Sequence, residues 1–67
     1  MNLIINGKAL EIAEDCRTVA DLLSRPEWSG RLVIVERNGE IVNREHYAGT
    51  SFSEGDRLEL VHFVGGG

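Results

Sequence analysis

The sequence predicts a small α+β domain in which one short helix packs against a sheet of four to five strands. The chain has 67 residues, 42% of them hydrophobic and 27% charged, which suits a single folded domain. A chain of this length buries only roughly 60% of its unfolded surface, so it has room for one pair of layers. Its apolar segments are short, Asn-Gly turns separate several of them, and one segment alone has the spacing of an amphipathic helix.

The chain begins with a predicted β-hairpin. Residues 1–5 predict the first strand and residues 8–12 the second, with Leu10 and Ile12 on one face. Asn6-Gly7 lies between them and is the strongest short hairpin signal, because both residue types tolerate positive φ.

A short helix is predicted to follow a polar loop. Thr18 marks its start, because a threonine hydroxyl can accept a hydrogen bond from a free backbone amide. Asp21 suits both the capping-box position and the positive end of the helix dipole. Pro26 ends the helix near Ser24, which leaves about two turns. The apolar stripe consists of Val19, Leu22 and Leu23.

Three further strands are predicted in the second half of the chain. Residues 32–35 form a continuous apolar run typical of a central strand, and Asn38-Gly39 predicts a second hairpin turn. The element order is therefore β-β-α-β-β-β. The remaining segments are a strand at 40–42, a short helical turn within 43–49, a turn at 53–56 and a final strand over 57–64.

One helix can cover only one face of a sheet, so apolar residues on the other face should remain exposed. If Leu58 and Leu60 face the helix, Val61 and Phe63 point away from it. Exposed apolar patches often mark partner surfaces, and we expect Val61, Phe63 and Val64 to form a docking surface. The alternative is that a twist or a bulge leaves this face only partly exposed.

The last three residues are all glycine and directly follow the final strand. Glycine loses the most backbone entropy on ordering, so this tail does not stabilise a fold. It can instead thread a bare backbone into a narrow slot, over on the order of 10 Å, and bring a terminal carboxylate to a reactive centre. We therefore divide the chain into a domain at 1–64 and a flexible reactive tail at 65–67. The alternative is an ordinary mobile terminus.

Several segments together resemble one known family. They are the N-terminal hairpin, the capped helix at 18–23, the stretches 33–38 and 41–45 with Tyr47 after them, the turn at 54–56 and the ending at 61–67. This combination is similar to the ThiS family of sulfur carriers in thiamine biosynthesis. The resemblance covers the whole chain and implies a ubiquitin-like β-grasp fold with a mixed sheet. The Gly66-Gly67 pair is shared by several β-grasp carriers.

The resemblance also implies a reaction cycle. An E1-like adenylating partner of the ThiF type would use ATP to activate the Gly67 carboxylate, with Gly65 and Gly66 threaded into its active site. Sulfur from a cysteine desulfurase route would then give a thiocarboxylate, which a ThiG-type thiazole synthase would consume. The chain itself would be a protein substrate rather than an enzyme and would bind no cofactor.

Three other functions remain open on the sequence. A molybdopterin-synthase small subunit shares the fold and the diglycine end but delivers sulfur to another acceptor. A plain protein-interaction module would have an inert tail. A ubiquitin-like modifier would also need an activated Gly67 but would form isopeptide conjugates.

Charge and composition argue against several other classes. The formal net charge is −4 and basic residues do not cluster, which disfavours nucleic acid and anionic membrane partners. No stretch reaches the length of a transmembrane helix, and residues 1–7 do not form a signal peptide. Cys16 is the single cysteine, so no internal disulfide can form, and we expect a cytoplasmic location.

Other chemically capable side chains have plainer interpretations. Cys16 lies between a negative residue, Asp15, and a positive one, Arg17, so there is little reason for a low pKa of its thiol. We expect Cys16 to be an ordinary, partly buried side chain. His46 and His62 lack the spacing of a metal site, and His62 is expected to be an ordinary structural or core-edge side chain. Trp28 and Tyr47 are expected to be packing residues. Arg44 and Glu45 are expected to be solvated surface charges, although they could contact a partner.

Overall fold

The computed structural model describes residues 1–62, which form one five-stranded sheet with an α-helix and a 3₁₀ helix. In chain order the elements are β1 (Asn2–Ile5), β2 (Lys8–Glu11), α1 (Val19–Leu23), β3 (Val33–Arg37), β4 (Glu40–Val42), the 3₁₀ helix (Arg44–Gly49) and β5 (Arg57–His62). The strand order across the sheet is β2-β1-β5-β3-β4.

The last strand occupies the centre of this sheet. It runs parallel to β1, where Ile5 lies opposite Leu58, and antiparallel to β3, where Val35 lies opposite Leu60. The sheet is therefore mixed, and it packs on one short helix, which confirms the predicted fold class. Because β5 has a neighbour on each side, the sheet itself fixes the position at which the chain leaves the strand.

Both predicted hairpin turns are present. Asn6 and Asn38 each have a φ of 50°, and the glycines that follow them also have positive φ, 83° for Gly7 and 87° for Gly39. Positive φ at both central residues is the backbone shape that Asn-Gly adopts in two-residue hairpin loops. The turns therefore fix the register of β1 with β2 and of β3 with β4.

The predicted helix cap forms a complete capping box. The Oγ1 of Thr18 accepts a hydrogen bond from the backbone N–H of Asp21 at 3.1 Å. The Oδ2 of Asp21 in turn accepts from the backbone N–H of Arg17 at 2.9 Å and of Thr18 at 3.0 Å. These donors, that of Arg17 first, lower the pKa of the Asp21 carboxyl.

The core lies between α1 and the face of the sheet that the helix covers. Leu3, Val35 and Leu58 from three adjacent strands are almost fully buried together with Val19 of the helix. Half-buried Trp28 and Tyr47 pack against the same cluster, as predicted for both, with Leu23, Val33 and Val42. The complete buried apolar set is Leu3, Ile5, Ile12, Cys16, Val19, Leu22, Val35, Phe52, Leu58 and Leu60.

The two apolar residues at the end of the hairpin differ in burial. Leu10 lies opposite Leu3 in the sheet but is exposed, whereas Ile12 is buried. All four residues of β2 are exposed, because this strand is the edge of the sheet and the short helix does not reach over it. Ile12 immediately follows β2, donates its backbone N–H to the Met1 carbonyl and packs in the core.

Candidate functional site

The candidate site is the end of β5 and the surfaces around it. His62 is the last described residue, and it lies opposite Val33 of β3. The predicted reactive Gly67, the threading residues Gly65 and Gly66, and the docking residues Phe63 and Val64 lie outside the described residues. The predicted boundary between domain and tail at residues 64 and 65 lies there too.

An apolar patch covers the face of the sheet that turns away from the helix. Val61 is 55% exposed and lies directly opposite Ile34, which is 38% exposed. Ile41 on β4 is 65% exposed and shares their face, because it lies opposite Glu36, two residues after Ile34. We call Ile34, Ile41 and Val61 the outer-face patch. Val61 is exposed as the alternation predicts, and its docking role stays a prediction.

Two carboxylates border this patch. Glu36 lies directly opposite Glu59, one pleat away from the pair formed by Ile34 and Val61. Like charges directly opposite each other on neighbouring strands disfavour folding. The outer face therefore carries exposed apolar area together with a repulsive acidic pair, and neither feature stabilises the isolated chain.

The side chain of Asn6 holds β5 close to its end. Its Oδ1 accepts a hydrogen bond from the backbone N–H of Leu60 at 2.8 Å, and its Nδ2 donates to the Leu60 carbonyl at 3.2 Å. Strand β1 ends at Ile5, so this amide takes the place of the next backbone partner along β5. The hairpin turn thus extends the parallel pairing to within two residues of His62.

A buried carboxylate fixes the beginning of the same strand. Asp56 is 7% exposed, and its Oδ2 accepts hydrogen bonds from Arg37 Nε at 2.9 Å and from the backbone N–H of Ser53 at 2.8 Å. Its Oδ1 accepts from Asn38 Nδ2 at 3.1 Å. Burial raises the pKa of the Asp56 carboxyl, but the donors from Ser53, Asn38 and Arg37 together outweigh burial and lower it.

The sequence predicts the turn that contains Asp56, but the hydrogen bonds of its carboxylate were not predicted. Two features of the sequence could have indicated them: an aspartate between a turn glycine and an alternating strand, and the Arg37-Asn38 pair at the second hairpin turn. Asn38 also accepts a hydrogen bond from the backbone N–H of Arg57 at 3.0 Å, so both hairpin asparagines contact β5. Together these contacts place β5 with its outer face toward solvent.

Cys16 does not offer a reactive thiol. It is buried, and that burial, partly offset by Arg25, raises the pKa of the thiol. A raised thiol pKa reduces the fraction of nucleophilic thiolate at neutral pH. The interpretation of Cys16 as an ordinary packed side chain agrees with this environment.

The two histidines lie apart from any ligand set. Within residues 1–62 no group of three or more His, Cys, Asp or Glu side chains could hold a metal ion. His46 is exposed on the 3₁₀ helix. His62 is exposed at the end of β5, opposite Val33, which packs against the core. No helix in the described part of the chain is long and apolar enough to span a bilayer.

Comparison with known proteins gives consistent matches. The ThiS family matches residues 3–67. The sulfur carrier protein ThiS of Bacillus subtilis (strain 168) is 43% identical over 65 residues, which is 97% of this chain and 98% of that protein. A thiazole synthase of Paramagnetospirillum magneticum is 43% identical over 67 residues, which is all of this chain but only 20% of that protein.

The fold comparison agrees. The crystal structure of a thiamine biosynthesis protein (ThiS) from Geobacter metallireducens is 38% identical and covers 100% of both chains, with a TM-score of 0.81. Its similarity therefore extends over the whole β-grasp architecture described above. The chain belongs to the ThiS family: it is a small sulfur carrier of thiamine biosynthesis and not itself an enzyme.

Proposed function

We propose that the carboxylate of Gly67 is the group on which this carrier bears sulfur. An E1-like adenylating enzyme of the ThiF type activates it with ATP, and a cysteine desulfurase route supplies the sulfur. A ThiG-type thiazole synthase then takes the sulfur from the thiocarboxylate. The observation that carries the proposal is the central strand β5 of a chain of a sulfur-carrier family. Near the end of this strand, Val61 forms an exposed apolar pair with Ile34 of β3.

The chemistry explains why a partner and ATP are needed. A carboxylate is a poor electrophile because its oxygen is a poor leaving group. Attack of a Gly67 carboxylate oxygen on the α-phosphorus of ATP releases pyrophosphate and gives an acyl adenylate. A sulfur nucleophile then attacks the acyl carbon, AMP departs with that oxygen, and a thiocarboxylate remains. The chain thus binds no cofactor of its own, and ATP is consumed by the partner.

The described residues favour a passive role in this cycle. The one thiol is buried with a raised pKa, and the buried carboxylate of Asp56 is fully engaged in hydrogen bonds. A general base or a nucleophile needs access to the reacting atoms, which neither group has. Activation and sulfur transfer therefore belong to the partners. The single cysteine of the chain and partners that consume ATP support the cytoplasmic location that we propose for the carrier.

The thiazole synthase step draws support from one relative. The whole chain resembles one fifth of the thiazole synthase of Paramagnetospirillum magneticum. A carrier-like segment within a thiazole synthase is consistent with a carrier that acts together with such an enzyme. We therefore propose a ThiG-type protein as the acceptor of the sulfur.

The direct test is the intact mass of the carrier after reaction. Incubation with a ThiF-type enzyme, ATP and sulfide should replace one oxygen by one sulfur. The same mixture without ATP should leave the mass unchanged. An unchanged mass in the complete mixture, with an enzyme shown to load its own carrier, would contradict the proposal.

The outer-face patch is proposed to dock the adenylating enzyme. We expect Val61→Asp to weaken binding to that enzyme by roughly tenfold or more, because a charge would replace an apolar contact within the patch. Titration calorimetry with the folded variant measures the effect.

Leu10→Asp is the matched control for this prediction. Leu10 is also an exposed apolar residue, but it lies on the edge strand β2, away from the patch. Its variant should bind the enzyme as the wild type does. Equal affinity of the Val61 variant and the wild type for the enzyme would contradict the proposal that the patch docks it.

A further inference from the structure

A second surface lies on the helix side of the sheet, opposite to the outer-face patch. It is a cavity of about 300 Å³ between the end of α1, the segment before β3, and the 3₁₀ helix. Half-buried apolar and aromatic side chains form much of its wall, and two exposed arginines also line it. Its principal side chains are Leu23, Trp28, Arg31, Val33, Arg44 and Tyr47.

The charge of this cavity is opposite to that of the chain. The formal net charge is −4, yet Arg31 and Arg44 line the cavity, and no acidic residue among the described residues does. Within residues 1–62, neither arginine forms a salt bridge. Two guanidinium groups beside an apolar wall match a carboxylate carried on a partly apolar protein segment.

The cavity is also next to the end of β5. Val33 lines it and lies directly opposite His62, whereas the adjacent residue Ile34 belongs to the outer-face patch. Successive residues of a strand point to opposite faces, so the cavity and the patch flank the end of β5 from two sides. If a cleft in the partner binds the residues after His62, one wall of that cleft would contact the cavity and the other would contact the outer-face patch.

We propose that this cavity binds an acidic segment of the adenylating enzyme, one that carries Asp or Glu beside an apolar side chain. The inference rests on the proposed function, since it assigns a second contact to the same partner. The nearby end of α1 is its C-terminus, where free backbone groups are carbonyls rather than amide donors. Free phosphate is usually bound by backbone amides, which this end of α1 does not offer, so the two guanidinium groups would be the donors and suit a carboxylate on a partner segment.

The test compares two double variants with the same change in charge. Arg31→Glu with Arg44→Glu reverses the charge of the cavity, whereas Lys8→Glu with Arg17→Glu reverses two exposed charges that lie outside the cavity and outside the outer-face patch. At low salt the cavity variant should bind the adenylating enzyme roughly tenfold more weakly, and its affinity should lose most of its salt dependence. The control variant should retain both the affinity and most of the salt dependence.

Further measurements separate the outcomes. A variant with Arg31→Lys and Arg44→Lys should recover most of the affinity lost in the glutamate variant. Equal affinity of the cavity and control variants, both folded by circular dichroism, would overturn the inference even if the wild type gains sulfur. Failure of the wild type to gain sulfur would instead contradict the proposed function. Saturable binding of inorganic phosphate at Trp28 and Tyr47, seen by NMR, would overturn the protein carboxylate as the occupant.

Discussion

A chain that ends at Gly66 is expected to gain no sulfur in the complete loading reaction, although it folds as the wild type does. The adenylating enzyme must bring one carboxylate in line with the α-phosphorus of ATP, and a shift of one residue moves that carboxylate by about 3.4 Å. The buried core lies within residues 3–60, so removal of the last residue leaves it intact. Intact mass after reaction and the midpoint of thermal unfolding measure the two halves of this prediction.

Two variants of the same terminus sharpen this test. Gly67→Ala keeps the carboxylate in register and adds a methyl group, so it should gain sulfur more slowly than the wild type. A chain with one alanine added after Gly67 displaces the carboxylate in the other direction and should gain none. Sulfur loading of the chain that ends at Gly66 at the wild-type rate would show that the position of the carboxylate does not matter.

The local features of the fold follow from the sequence because each depends on neighbouring residues. Asn-Gly favours positive φ through its own residue types, and the structure has positive φ at both turns. The capping box likewise depends only on Thr18 and Asp21. The exposure of Val61 follows from strand alternation once Leu58 and Leu60 are assigned to the core.

The features that the sequence did not reveal depend on residues far apart in the chain. The amide of Asn6 binds Leu60 across 54 residues, and the carboxylate of Asp56 reaches Arg37 across 19. No local periodicity encodes either pairing, because both require the parallel placement of β5 between β1 and β3. The exposure of Leu10 is a related case, since it depends on how far a helix of five residues reaches over the sheet.

The cavity with Arg31 and Arg44 could not be predicted from the sequence for the same reason, because its residues are far apart in the chain. The sequence marks Arg44 only as a charge that could touch a partner, and Arg31 carries no signal at all. The two residues belong to separate segments, which β3 and the 3₁₀ helix bring to one wall. A cluster of like charges that forms only on folding is invisible to a search for basic runs along the chain.

Replacement of Asp56 by asparagine is expected to lower the free energy of unfolding by about 2–4 kcal/mol at neutral pH. Asparagine presents an amide NH₂ where the carboxylate accepts hydrogen bonds, and it leaves the guanidinium of Arg37 without its partner. Urea unfolding followed by fluorescence of Trp28 measures the loss. Asp15→Asn, at an exposed loop position, is the control and should change stability by less than about 0.5 kcal/mol.

The pH dependence identifies the carboxylate charge as the cause. The pKa of Asp56 is lower in the folded protein than its ordinary value of 3.8, so its ionised form stabilises the fold. That contribution is complete above the unfolded pKa, near 4, and disappears as the pH falls through the folded pKa. The stability difference between wild type and Asp56→Asn should therefore be largest at neutral pH and should shrink below about pH 4.

Asp21 contributes to acid unfolding with the same sign, because its pKa is also lowered. It is present in both the wild type and the Asp56 variant, so its effect cancels in their difference. A difference that stays constant from pH 7 to about pH 2 would assign the loss to packing at position 56 rather than to charge. A shrinking difference would show that ionised Asp56 holds the hairpin turn of β3 and β4 against the start of β5, and so helps to fix the strand that leads to Gly67.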